Sequence, residues 1–184
     1  MHGDLNVPTS VAVLIRGGVI AYPTESCFGL GCDPQSRLGV QRVLRIKGRP
    51  QRKGLILIAS QLAQLKPFIA PLTPAQVTRL QSTWPGPHTW LVPAAADCPA
   101  TLTGRHATIA VRVTAHPESA RLCRDTNMAL VSTSANRSGA RAARTARECR
   151  QLFGSEVRVI NGRIGKRRRP STIQDLSSGR VLRA

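Results

Sequence analysis

Residues 55–59, Leu-Ile-Leu-Ile-Ala, form an apolar run with no polar residue to face water. Such a run reads as a strand covered on both faces. Covering both faces of a sheet takes helices, and the chain supplies helical patterns on either side. Residues 36–48 place Leu38, Val40, Val43, Leu44 and Ile46 near a helical period. Residues 73–84 open with Thr73 as N-cap, Pro74 at N1 and Gln76 at N3. Short helices are predicted at 10–17, with Ser10 as N-cap and Gly17 as stop, and at 116–125, with Pro117 in the first turn. Residues 145–154 carry a T-x-x-E capping box from Thr145 to Glu148 and end at Gly154. Strands are predicted at 19–23, 89–94, 108–113, 128–136, 157–160 and 171–176. This alternation, without repeats or a long linker, predicts one α/β domain over residues 1–184. The order is not a regular βαβ series, so the sheet is expected to be twisted and mixed, with flanking helices. Polar clusters follow several strands, where ligands of open α/β sheets gather.

Charge narrows the partner. The chain has 27 Lys and Arg against 9 Asp and Glu, a net charge of +18. That points to a polyanion: nucleic acid, nucleotide or acidic membrane. A basic surface that only keeps the chain dissolved is the plainer alternative. Aromatic residues are 3%, which argues against base stacking as the main contact and leaves phosphate recognition open. The first ten residues do not read as a signal peptide, and no apolar run reaches the length of a membrane span. A cytoplasmic protein without membrane contact is expected. Cys27, Cys32, Cys98, Cys123 and Cys149 are odd in number and include no C-x-x-C pair. Reduced thiols follow, with no disulfide framework and no assigned metal ligand.

Several chemistries are excluded by missing motifs. There is no G-x-x-x-x-G-K-[ST], no G-x-S-x-G and no H-E-x-x-H. Residues 28–34, FGLGCDP, hold G-x-G without the third glycine of a dinucleotide fingerprint and read as a tight turn. His88 and His106 read as surface histidines in loops.

Two stretches carry more. Arg45, Lys47, Arg49, Arg52 and Lys53 crowd in just before the apolar run. Cations at a helix end are favoured by the dipole, and alternate cations beside a buried strand also make a phosphate clamp. Residues 131–136, VSTSAN, send hydroxyl and amide groups off the end of an apolar strand together. Those groups suit phosphate or carboxylate oxygens; an Asx-capped turn is the structural alternative. Residues 84–90, WPGPHTW, fix a backbone corner before a strand.

Together with YPTESCFGLGCDP, KGRPQRKGLILIA, LTGRHATIAVRV and PSTIQDLSSG, these stretches run in one order over nearly the whole chain. In that order the chain resembles the YrdC-type threonylcarbamoyl-AMP synthases, in their short bacterial form without an additional C-terminal domain. The resemblance implies a YrdC-like fold and a reaction. L-threonine, bicarbonate and ATP give threonylcarbamoyl-adenylate and pyrophosphate. A separate threonylcarbamoyl transferase complex then modifies transfer RNAs that read ANN codons.

By the same resemblance Lys47 and Arg49 are the catalytic cations facing ATP, with Ser134 and Asn136 across the site and Thr108 touching the nucleotide. Thr24, Arg112, Ser132 and Ser171 hold threonine, Arg112 pairing with its carboxylate. Magnesium is expected with ATP as substrate. Glu25 and Asp33 are the acids nearest the motifs, and neither is assigned as a ligand. A non-catalytic RNA-binding protein and a YciO-like paralogue of the same fold are the alternatives. Two further basic sets stay open: Arg141, Arg144, Arg147 and Arg150, and Arg163, Lys166, Arg167, Arg168 and Arg169. They bind RNA, cover ATP, or form a solvated surface.

Overall fold

The apolar run stands at the centre of a nine-stranded sheet. A computed structural model describes residues 9–184. In chain order its strands are β1 (Ile20–Pro23), β2 (Phe28–Gly31), β3 (Ile56–Ala59), β4 (His88–Pro93), β5 (Thr108–Val113), β6 (Leu130–Ser134), β7 (Arg158–Val159), β8 (Thr172–Asp175) and β9 (Val181–Arg183). They lie side by side as β7-β1-β2-β6-β3-β5-β4-β8-β9. The sheet is mixed: β3 is parallel to β5 and antiparallel to β6.

The helices are α1 (Thr9–Ile15), α2 (Arg37–Lys47), α3 (Pro74–Gln81), α4 (Ala100–Thr103), α5 (Pro117–Asp125) and α6 (Ala146–Phe153). Successive strand residues point to opposite faces, and both faces of the sheet are covered. Ile58, Ile20, Tyr22 and Leu130 pack with Leu14 of α1 and Leu122 of α5. Leu57, Ala59, Ala21 and Val131 pack with Val40 and Val43 of α2, Leu80 of α3, Leu102 of α4 and Phe153 of α6. A one-residue slip of β3 would exchange these partners, so burial on both sides fixes its register.

The helix signals act as read, with two exceptions. Thr73 and Gln76 form a reciprocal capping box. Ser36 caps α2 by accepting from Gly39 N at 3.1 Å, and Gly48 ends it at φ 61°. At α6, Thr145 accepts from Glu148 N, but the Glu148 carboxylate turns to Arg144 N and Arg141 instead of completing the box. A backbone donor one residue earlier and the Arg141 guanidinium take the carboxylate in place of Thr145 N. Ser10 lies inside α1, which already begins at Thr9.

Residues 28–31 form strand β2 and not a tight turn. Its glycines serve close approach. A Cβ at Gly31 would stand 2.5 Å from Val131 O and 2.7 Å from the Tyr22 ring. His88 likewise begins β4, half-buried and stacked on Trp90 at 4.6 Å between ring centroids. Burial lowers its pKa.

Candidate active site

Beside β2, β6, β3 and β5 the sheet carries a cleft of about 840 Å³. Gly29 helps to open it. A Cβ there would come 3.3 Å from Thr24 and 3.5 Å from Ser132 Oγ, both cleft residues. Among the described residues, eight lysine or arginine side chains line the cleft and no carboxylate does. A cavity so charged suits a polyanion. For the same reason its walls offer a divalent metal no carboxylate ligand, and among the described residues no group of three His, Cys, Asp or Glu could hold one.

One end is built where α2 meets β6. Lys47 is the last residue of α2 and is buried. Its ammonium donates to Asn136 Oδ1 and Ser134 O, both at 2.6 Å, to Ser134 Oγ at 3.1 Å and to Asn136 O at 3.3 Å. These acceptors use the full donor capacity of an ammonium. Ser134 Oγ also donates to Asn136 Oδ1 at 2.7 Å. Asn136 Nδ2 donates to Ala140 O and Arg137 O, which fixes the turn after β6. Burial, and then the charge of Arg49, pull the Lys47 pKa down to about 8.

Arg49 follows the glycine cap of α2. Its Nε donates to Gly54 O at 2.9 Å and its Nη2 to Lys53 O at 3.3 Å. The 51–54 loop is seated against residues 102–104 through glycines at positive φ. A Cβ at Gly54 would meet Thr103 O at 2.8 Å, and one at Gly104 would meet Arg52 O at 2.5 Å. The crowd of cations is thereby divided. Lys47, Arg49 and Lys53 line the cleft, while Arg45 points outward to Glu156 at 3.3 Å.

The other end gathers around Arg112 of β5, a buried residue and not a solvated strand position. Its Nη2 lies 3.4 Å from Glu25 Oε2. Ser132 and Thr24 are buried nearby, and Thr24 Oγ1 donates to Cys27 O at 2.8 Å. Ser171 is held between Thr89 Oγ1 at 2.9 Å and Arg183 Nη2 at 3.1 Å. Burial, then the charges of Arg112 and Arg167, lower the pKa of Arg183.

Every residue singled out for ATP or threonine lines this one cleft: Lys47, Arg49, Thr108, Ser134 and Asn136, and with them Thr24, Arg112, Ser132 and Ser171. Lys53, named in the cation crowd without a role of its own, also lines it, as do Arg183 and Cys27, which sequence reasoning missed. Arg183 sits on a three-residue exposed strand with no pattern to single it out. The open basic sets divide as well. Arg141, Arg144 and Arg168 reach the cleft. Arg167 folds onto its own loop, donating to Arg169 O at 3.1 Å and Pro170 O at 3.3 Å. Arg147, Lys166 and Arg169 are exposed and do not line it.

Comparison with known proteins gives this geometry a context. The profile of the Sua5/YciO/YrdC family, described as "Telomere recombination", matches residues 12–184. A protein of Methylobacillus flagellatus named threonylcarbamoyl-AMP synthase is 63% identical over 170 residues, 92% of this chain and 94% of that protein. One of the same name from Thiobacillus denitrificans is 57% identical over 173 residues, 94% of this chain and 92% of that protein. The crystal structure of P. abyssi Sua5 complexed with L-threonine superposes with a TM-score of 0.85 at 26% identity. That match covers 95% of this chain and 52% of the longer Sua5 chain.

Proposed function

The chain belongs to the Sua5/YciO/YrdC family, and on that premise we propose that it is a threonylcarbamoyl-AMP synthase working as a single domain. It joins L-threonine, bicarbonate and ATP into threonylcarbamoyl-adenylate and releases pyrophosphate. The observation that carries this reading is one cleft with two unlike ends. One end is a Lys47–Ser134–Asn136 knot beside Arg49. The other is buried Arg112, with the buried hydroxyl residues Thr24, Ser132 and Ser171 lining the same cleft. The first suits phosphates and the second an amino-acid carboxylate. Relatives of near-equal length and 57–63% identity favour the synthase over a YciO-like paralogue or a non-catalytic RNA binder.

The chemistry needs no protein nucleophile. The threonine amine bonds to the carbon of bicarbonate as that carbon loses its hydroxyl, and the hydroxyl leaves with an amine proton as water, giving a carbamate. A carbamate oxygen then bonds to the α-phosphorus as the bond to the β-phosphate oxygen breaks. The chain contributes alignment and positive charge along the triphosphate. Arg49 offers its remaining N–H groups to the phosphates. Lys47, its protons committed to Ser134 and Asn136, acts through its charge and through the order it imposes on that turn. Thr108 borders the nucleotide. Arg112 takes the threonine carboxylate, with Thr24, Ser132 and Ser171 around the amino acid. Any magnesium would be bound by ATP itself and would supply charge neutralisation, since among the described residues no carboxylate lines the cleft.

The product passes to a threonylcarbamoyl transferase complex acting on transfer RNA that reads ANN codons, in the cytoplasm. Among the described residues no helix is long and apolar enough to cross a membrane. Exposed Arg147, Lys166 and Arg169 offer the RNA backbone a surface apart from the cleft.

Pyrophosphate release from ATP, with threonine and bicarbonate omitted in turn, tests the reading. Dependence on both supports it. Release that ignores threonine overturns it.

A further inference from the structure

Arg112 has an unusual partner for so basic a chain. With 27 cations and 9 acids, most lysines and arginines can have no carboxylate partner. Among the ion pairs of the described residues, Arg112–Glu25 is the one in which both side chains are largely buried, 9% and 12% exposed. A buried guanidinium left alone costs several kcal/mol, and so does a buried carboxylate. Each therefore depends on the other.

Glu25 is itself held from three directions. Its Oε1 accepts from Thr114 Oγ1 at 2.7 Å. Thr114 Oγ1 in turn accepts from His116 N at 3.1 Å. The Glu25 carbonyl accepts from Arg167 N at 3.1 Å. Gly165 presses on the same peptide so closely that a Cβ there would stand 2.7 Å from Glu25 O. Thr24, Ser26 and Cys27 line the cleft, but Glu25 does not. Its carboxylate supports the guanidinium from outside the cleft.

The contact is incomplete. Arg112 Nε is buried and has no hydrogen-bond partner, and neither does Glu25 Oε2, whose approach to Nη2 at 3.4 Å is electrostatic. The guanidinium is thus fixed at one nitrogen while another N–H is left without an acceptor.

We propose that Glu25 is a positioning residue of the amino-acid subsite: anchored by Thr114, it holds Arg112 in the orientation in which its guanidinium meets the substrate carboxylate. This rests on the reading of Arg112 as the threonine-binding arginine. Glu25 touches no reacting atom. It acts only through Arg112, so its influence falls on the amino acid and spares the nucleotide.

The test is steady-state pyrophosphate release by the full chain. Glu25→Gln keeps the shape and an acceptor for Thr114 but removes the charge. It should raise the threonine KM about tenfold, the scale of one charge-assisted hydrogen bond, with the ATP KM within about twofold of wild type. Thr114→Val, which removes the anchor and leaves the carboxylate, should give a smaller rise in the threonine KM alone. Glu25→Asp should recover part of the loss. In a double-mutant cycle Glu25→Gln and Arg112→Lys should be non-additive, since the two residues form one device. Equal rises in both KM values, or additivity in the cycle, overturn the proposal. If wild type itself releases no threonine-dependent pyrophosphate, the synthase reading fails first, and that result is distinguishable from a variant that behaves like an active wild type.

Discussion

The Lys47 ammonium lies 2.6 Å from Asn136 Oδ1, joining the end of α2 to the turn after β6 across 89 residues of sequence. The bond makes Lys47 a cross-link as well as a charge. Lys47→Ala should lower adenylate formation by tenfold to a thousandfold, the range for removing a group that stabilises transition-state charge. It should also destabilise the fold by about 1.5–3 kcal/mol, the scale of a hydrogen bond to a charged group, because Ser134 O and Asn136 Oδ1 lose the ammonium and keep only Asn136 N and Ser134 Oγ as donors. Thermal melting alongside turnover checks both. Normal melting with abolished turnover would remove the cross-link from the account.

The pH dependence follows from the same burial. With its pKa near 8 in the fold, against an ordinary 10.5, Lys47 loses its charge as pH rises through 8. Nucleotide affinity should therefore fall above about pH 8, and Lys47→Arg should move that limb to higher pH. Stability has the opposite sign. Between about pH 8 and 10.5 the unfolded chain holds the proton that the folded chain has released, so this group's contribution to stability rises with pH across that window. Titration of ATP affinity and denaturant unfolding over that range separate the two slopes.

Asn136→Ala should weaken ATP use more than threonine binding. The carboxamide fixes Lys47 on one side and the carbonyls of Arg137 and Ala140 on the other. On the proposed reading all of these belong to the phosphate-binding residues. Calorimetric titration with each ligand separately checks it. A selective drop in threonine affinity would show the two ends reversed.

The basic loop should divide into two kinds of cation. Arg168 lines the cleft, so Arg168→Gln should raise the ATP KM. Lys166 and Arg169 are exposed and do not line it. Replacing both by glutamine should leave turnover of small substrates unchanged. It should also flatten the salt dependence of RNA binding by about 0.7–0.9 for each phosphate no longer neutralised. Filter binding across a salt series measures that slope.

What could be read from the sequence was what is local. Thr73 and Gln76 declare α3 because a capping box spans one turn. The 55–59 run declares a central strand because both faces must be apolar. β2 was hidden because Gly29 and Gly31 answer to Tyr22, Thr24 and Val131, whose closeness arises only after strands pair. Lys47 and Asn136 could each be suspected, yet the bond between them belongs to the assembled sheet. Arg183 carried no signal: three exposed residues on an edge strand have no periodicity, and only pairing with β8 brings it to Ser171. Glu25 stood out as an acid near the motifs, but its role as partner to Arg112 depends on β5 lying alongside.

Arg49 is gripped by main-chain oxygens of residues 53 and 54, with no side chain in the grip. A carbonyl is present whatever residue bears it. The side chains of Gln51, Arg52 and Lys53 can therefore change without releasing the guanidinium, while Gly54 and Gly104 cannot accept a Cβ. Evolution is thus free to rewrite Gln51 and Arg52, which do not line the cleft, but not the length of this loop. One residue added or removed between Pro50 and Leu55 would carry the two oxygens away from Arg49 and silence the site without touching any residue that meets substrate.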